Sequence, residues 1–302
     1  MLLSGAAYSK ITNPTDYEII VSSIRKFPPD YFACIEKDVA RTLPAGDIRR
    51  QPLLNVLACY AIRNPRLLYC QGLNNVCYNL LRNGYSEHEA FWLITQLIEK
   101  VLPVDFYFDM RVVMALVASL NHLLEQGLPS FVKYAKEIEL SPEIFLVEWL
   151  VTLFTKDINL GVANYILELL VVDGIAALIG GSLAALGLAW KTIRADKPLD
   201  QLELLQLIRS FVKDRISLEE FRTIYHSIYL NQDFLELLFD SYLSSMLKHK
   251  DAPKKNNGPP KLPPCSTGLP ICLHILEVAK TRPWTSEIST MKVGATLDEI
   301  TE

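Results

Sequence analysis

The chain has 302 residues, half of them hydrophobic, which is enough to bury a substantial core in one or two domains. Its 30 Lys and Arg against 34 Asp and Glu give a net charge of −4, so no overall positive field favours nucleic acid as a partner. The six cysteines form no Cys-x-x-Cys pair, which argues against the common zinc motifs and indicates free thiols in a reducing compartment. We therefore expect a cytoplasmic protein.

Helical periodicity runs along almost the whole chain, and no segment shows the alternation of a convincing strand. Phe32, Ile35 and Val39 at i, i+3 and i+7 mark the apolar face of a helix, and the capping box at 86–89 opens another. The predicted helices cover 29–42, 52–63, 73–82, 87–102, 110–126, 129–139, 142–155, 160–172, 175–193, 199–213 and 232–248, with a further capping box at 217–220. The sequence therefore predicts an all-α domain with many helices and short connections.

One apolar segment has two interpretations. Residues 174–190, GIAALIGGSLAALGLAW, carry no charge, and the apolar run begins near Leu169. A membrane-spanning helix needs about 20 such residues, but Asp173 near the start of the run would be costly in lipid. We expect a buried central helix, and a membrane anchor over 169–190 is the alternative.

The composition changes at 251–264, DAPKKNNGPPKLPP, which is typical of a linker that is partly polyproline II. Its part 259–264, PPKLPP, is either a spacer or a docking segment for an aromatic-lined groove. We expect a folded domain over 1–248. Residues 249–302 then form a flexible proline-rich linker and tail with one short helix around 269–281.

The first of two notable motifs is IEKDVART at 35–42. Asp38 and Arg41 lie at i and i+3 on one helix, so the carboxylate can steady the guanidinium. An ordinary surface ion pair has the same spacing and contributes less than about 1 kcal/mol.

The second motif is YCQGLN at 69–74. Gly72 permits a tight turn and the next helix begins at Leu73, so the Gln71 amide lies near the positive end of a helix with free N–H groups. Gln71 can orient a water or a phosphate oxygen there, or it is simply a polar residue in a helix–helix turn. Cys70 beside it lacks a histidine motif that would supply a base, so we expect it to pack rather than react.

In combination, I-x-x-D-x-x-R-T followed by Y-x-Q-G-x-N resembles the TBC domain of Rab GTPase-activating proteins. The likeness covers roughly residues 1–245 and includes EHEAFWLITQLIEKVLP and EWLVTLF. The first motif matches at Ile35, Asp38, Arg41 and Thr42, and the second at Tyr69, Gln71, Gly72 and Asn74.

The resemblance implies that Arg41 is an arginine finger and Gln71 a glutamine finger, both acting in trans on a Rab-type small GTPase in its GTP-bound state. It implies a role in vesicle trafficking, with the protein in the cytoplasm and peripherally on endomembranes through its partner. No cofactor or metal ligand is expected from this chain, because Mg-GTP is carried by the GTPase. The other matched residues, which would support the site or bind the GTPase, are Ile35, Asp38, Thr42, Tyr69, Gly72 and Asn74.

Two features depart from the family pattern. The chain starts at MLLSGAAYSK, which looks like the end of the family's first helix, so we expect that helix to be missing. Leu167-Glu168 stands where the family commonly has Trp-Asp before a glycine. These departures leave open a second function, a catalytically inactive TBC-like scaffold that binds a small GTPase or an effector, although both Arg41 and Gln71 are present.

Overall fold

A computed structural model describes residues 14–195, 200–228 and 230–248. The predicted tail at 249–302 and the N-terminal residues 1–13 lie outside the described residues. The described part is all-α, with no strand, which confirms the predicted fold class. Its helices are α1 (Pro14–Ser22), α2 (Pro29–Thr42), α3 (Arg50–Arg63), α4 (Leu73–Arg82), α5 (Glu87–Gln96), α6 (Met110–Gly127), α7 (Pro129–Glu137), α8 (Glu143–Val151), α9 (Leu160–Asp173), α10 (Ile175–Ile193), α11 (Gln201–Ser210), α12 (Leu218–Ser227) and α13 (Gln232–Lys248).

Two helices organise the packing. The N-terminal helices gather around α3, which contacts α1, α2, α4 and α5. The C-terminal helices gather around α10, which contacts α6, α8, α9, α11 and α12, while α13 packs along α6. The apolar faces form one continuous core through both groups. This arrangement lets α2, α4 and α8 converge on one cavity.

Helix α10 is the buried central helix that the sequence favours. It is long and apolar enough to cross a membrane, but 78% of its apolar window is buried inside the protein. Its small residues let neighbouring helices approach closely: a Cβ on Gly181 would lie 3.2 Å from Ile166 Cδ1, and one on Gly180 would lie 2.8 Å from the Tyr225 ring. Close helix packing, rather than contact with lipid, therefore accounts for this composition.

Two predicted helices end earlier than their periodicity indicates. The prediction 87–102 is wrong at its end, because α5 stops at Gln96 and Leu97–Val101 forms a π-helical turn. The prediction 199–213 likewise becomes α11 followed by a π-helical turn at Phe211–Arg215. Both turns still bury apolar side chains, so the hydrophobic pattern continues where the α-helical hydrogen bonds do not.

The predicted helix 142–155 also ends early, and this end shapes the candidate site. Helix α8 stops at Val151, and Leu153 and Phe154 take positive φ angles of 46° and 60°. Both side chains are nonetheless fully buried, at 1% and 0% exposure. The apolar pattern therefore reports burial correctly here, but the buried residues lie on a tight turn and not on a helix.

Candidate functional site

Arg41 lies in the last turn of α2, on the side away from the core. Ile35 and Val39 are fully buried and hold the helix against its neighbours, while the Arg41 side chain is 72% exposed. Its Nη1 donates a hydrogen bond to Asp38 Oδ1 at 3.1 Å. An ion pair this exposed contributes little to stability, so its main effect is to orient the guanidinium.

The other oxygen of Asp38 connects the two motifs. Tyr69 donates its hydroxyl hydrogen to Asp38 Oδ2 at 2.8 Å. Burial, and then the hydrogen bond to Asp38, raise the pKa of Tyr69 above its ordinary value. The phenol therefore stays protonated and donates, which fixes the largely buried carboxylate that in turn holds Arg41.

A second set of hydrogen bonds runs parallel to the first. Asn74 Nδ2 donates to Thr42 Oγ1 at 2.8 Å, and that hydroxyl donates to the Asp38 carbonyl at 2.7 Å. The Gly72 N–H donates to Asn74 Oδ1 at 3.0 Å. Because Asn74 is buried and bonded on both sides, it couples the end of α2 to the turn before α4.

Gln71 is exposed in this turn, next to a glycine whose backbone is unusual. Gly72 has φ 114° and ψ −35° at the N-cap of α4. A Cβ on Gly72 would lie 2.7 Å from Val151 Cγ1 and 2.9 Å from the Val151 carbonyl oxygen. The hydroxyl of buried Tyr107 donates to that same carbonyl oxygen at 3.0 Å. The turn that carries Gln71 is therefore pressed against the end of α8, and only glycine fits there.

Arg41 and Gln71 line the same cavity, which has a volume of about 590 Å³. Of the predicted residues, Asp38, Thr42, Gly72 and Asn74 also line it. Tyr69 supports it through Asp38, whereas Ile35 is buried in the core and does not reach it. The remaining lining residues are Cys70, Asn75, Met110, Ile144, Val147, Glu148, Val151, Thr152, Lys156 and Arg209.

Cys70 does not supply a nucleophile to this cavity at neutral pH. Burial, followed by the nearby charge of Asp38, raises the pKa of Cys70 to about 11. The thiol is therefore protonated at neutral pH, whereas the thiolate is the reactive form of cysteine.

Sequence reasoning missed the contributions of α6, α8 and α11. Tyr107 and Val151 lie far along the chain from the two motifs, and nothing in their local sequence marks them. A usable signal did exist in α8: seven of the nine residues in EIFLVEWLV are apolar, so the apolar residues cannot all face the domain's own core.

Comparison with known proteins identifies the architecture around this cavity. The model of the Rab-GTPase-TBC domain matches residues 3–193, which include both motifs and helices α1 to α10. The chain belongs to the Rab-GTPase-TBC domain family. A crystal structure described as the Chlamydomonas flagellar RabGAP TBC domain shares the fold with a TM-score of 0.58, at 23% identity over 70% of each chain.

The relatives of this TBC domain include fungal and mammalian proteins. The mouse protein Carabin is 26% identical over 260 residues, which cover 83% of this chain and 58% of Carabin. The GTPase-activating protein GYP5 of Eremothecium gossypii is 25% identical over 70% of this chain, and the human Small G protein signaling modulator 3 is 29% identical over 62%. The aligned regions cover only 25% and 26% of those two proteins.

The sequence departure from the family pattern at Leu167-Glu168 lies in α9. Leu167, at the position where the family commonly has tryptophan, is fully buried in the core. Helix α9 ends shortly afterwards at Asp173, and Gly174 takes a positive φ of 58° between α9 and α10. Leu167 therefore packs as a core residue of α9.

Proposed function

We propose that this TBC domain is a GTPase-activating protein for a Rab-type small GTPase in its GTP-bound state. In this proposal Arg41 is the arginine finger and Gln71 the glutamine finger, and the partner carries Mg-GTP. The observation that carries the proposal is the joint position of the two side chains: both are exposed and both line one cavity. Asp38 orients Arg41, and Asn74 holds the turn that carries Gln71 through the Gly72 N–H.

The chemistry of the two side chains fits GTP hydrolysis. Negative charge is spread over the oxygens of the transferred phosphoryl group in the transition state, and the reaction needs a water in line with the bond that breaks. The planar, permanently charged guanidinium of Arg41 suits phosphate oxygens in two-point contact. The Gln71 amide has both a donor and an acceptor, so it can orient the attacking water.

The expected contribution of Arg41 is large. Arginine fingers in other GTPases accelerate hydrolysis by about 10³–10⁵, which corresponds to roughly 4–7 kcal/mol of barrier. The Asp38–Arg41 pair lowers the cost of positioning this side chain, because its rotamers are restricted before the partner arrives.

Single-turnover hydrolysis of GTP by a panel of Rab GTPases tests the proposal. The wild-type chain is expected to accelerate at least one GTPase, and Arg41→Ala and Gln71→Ala are each expected to abolish most of that acceleration. Arg41→Lys tests the role of the planar fork and is expected to rescue little. Arg66→Ala is the matched control, because Arg66 is another exposed arginine paired with an aspartate, Asp105, but it lies outside this cavity.

A binding scaffold is the second candidate, and the same experiment separates it. If the folded chain binds a GTPase without accelerating hydrolysis, the scaffold function replaces the catalytic one.

We further propose that the protein works in vesicle trafficking and in the cytoplasm. We propose that it reaches endomembranes through its GTPase partner, because α10, the one described helix apolar enough to act as an anchor, is buried.

A further inference from the structure

One wall of the cavity that Arg41 and Gln71 line is apolar and exposed. Helix α8 presents Ile144, Val147 and Val151 to the cavity at i, i+3 and i+7, and Met110 at the start of α6 joins them. Ile144 is 48% exposed and Met110 53% exposed. Single exposed apolar residues are ordinary on protein surfaces, but grouped ones beside a functional site mark a contact surface.

The buried side of α8 shows that this wall is not needed for the domain's own core. Phe145, Leu146, Trp149 and Leu150 occupy that side and are 0–3% exposed. The helix is therefore anchored by four large side chains independently of the cavity-facing ones. A helix that is apolar on nearly all sides but covered on only one side has an unpartnered face.

Charge in the cavity indicates what kind of partner covers this face. Glu148 on α8 pairs with both Lys156 and Arg209, so one carboxylate faces two cations and one positive charge is left over. With the Asp38–Arg41 pair, the lining has three cations and two anions, a net charge of +1. This sign is complementary to the anionic nucleotide of a GTPase, and a neighbouring apolar wall suits the protein surface around that nucleotide.

We infer that Met110, Ile144, Val147 and Val151 form the apolar docking surface for the same GTPase that receives Arg41 and Gln71. The inference rests on the proposed function, because any protein that places its nucleotide against Arg41 and Gln71 must also enter this cavity and cover its α8 wall. The wall sets the affinity for the GTPase, and the two fingers carry out the chemical step; Val151 alone among the wall residues also abuts the turn that carries Gln71.

The test combines single-turnover kinetics with direct binding of Rab GTPases loaded with a non-hydrolysable GTP analogue. Ile144→Asp places a charge on the wall at an exposed position, where we expect the fold to be preserved. The variant is expected to raise the concentration of this protein needed for half-maximal acceleration about tenfold or more, with an unchanged maximal rate. Arg41→Ala is expected to lower the maximal rate instead. Leu202→Asp is the matched control, because Leu202 is an exposed leucine, 60% accessible, that does not line the cavity.

The outcomes separate the two proposals. If Ile144→Asp leaves both half-saturation and binding unchanged while Arg41→Ala abolishes acceleration, the docking surface is refuted and the proposed function stands. If no GTPase is accelerated but Ile144→Asp weakens binding of the analogue-loaded GTPase, the docking surface stands and catalysis is refuted. Absence of both acceleration and binding overturns both. Should Ile144→Asp lower the thermal midpoint, Ile144→Gln repeats the measurement with a polar but uncharged side chain.

Discussion

Replacing Gly72 by alanine is the sharpest perturbation that the site allows. Two costs add at this position. The first is conformational: a non-glycine residue at φ 114° costs on the order of 1–3 kcal/mol. The second is steric: the new Cβ would lie 2.7 Å from Val151 Cγ1 and 2.9 Å from the Val151 carbonyl oxygen, and overpacking of this kind costs roughly 1–3 kcal/mol. Together they predict a loss of about 2–6 kcal/mol in the free energy of unfolding.

Gly84→Ala separates the two costs. Gly84 has a positive φ of 89°, but a Cβ built there meets no atom within 4 Å. Gly84→Ala therefore carries only the backbone cost. Alanine also lowers the entropy of the unfolded chain, and this effect is common to Gly84→Ala and Gly72→Ala. We expect Gly72→Ala to be less stable than Gly84→Ala by at least the steric cost, about 1–3 kcal/mol, because φ 114° is also further from the left-handed helical region than φ 89°.

Urea unfolding followed by circular dichroism measures this difference, provided that the slopes of the transitions agree. Adding Val151→Ala to Gly72→Ala removes the side-chain clash but keeps the carbonyl contact, so it is expected to restore stability in part. Equal stabilities for Gly72→Ala and Gly84→Ala would refute the close approach of the turn to α8. A loss of GTPase activation in Gly72→Ala that exceeds its unfolded fraction would show that Gln71 has moved.

Three further predictions concern the hydrogen bonds around the cavity. Asp38→Asn removes the charge that orients Arg41 and is expected to lower the maximal rate of activation about tenfold, in single-turnover assays, with an unchanged urea midpoint. Tyr107→Phe removes the donor to the Val151 carbonyl and is expected to cost about 1–3 kcal/mol by urea unfolding. The pKa of Tyr69 is raised in the folded state, so its contribution to stability is present below the ordinary phenol pKa of about 10 and is lost as pH rises above it. Tyr69→Phe is therefore expected to flatten the fall of the urea midpoint at alkaline pH, and an unchanged profile would contradict this assignment.

Much of the fold could be predicted because apolar residues recur at the helical period along most of the described helices. The bounds predicted for α2 and α10 agree with the structure, since proline stands in the first turn of α2 and Gly174 directly precedes α10. Helix α1 was not predicted, and the main overruns fall at 97–101, 152–155 and 211–213, where apolar residues remain buried while the backbone leaves the α-helical pattern. Hydrophobic periodicity reports which side chains are buried, and it does not specify the hydrogen bonds of the backbone beneath them.

The candidate site was predictable only where its residues are close in sequence. Asp38 and Arg41 are one turn apart on one helix, so local spacing alone indicates their contact. The bond from Asn74 to Thr42 spans 32 residues, and the bond from Tyr107 to Val151 spans 44, so neither follows from local spacing. The motifs identify residues that belong together, but the helix packing determines how they touch.

The end of α8 links the chemistry of the site to its recognition surface. The Val151 carbonyl accepts the Tyr107 hydroxyl and abuts Gly72, which holds the turn that carries Gln71. The Val151 side chain faces the same cavity as Ile144 on the apolar wall. A GTPase bound to this wall therefore contacts the helix end that positions Gln71. Val151 belongs both to the wall and to the contact with Gly72, and both lie on one rigid helix. It follows that substitutions at Val151 are expected to change both affinity and maximal rate, whereas those at Ile144 change affinity alone.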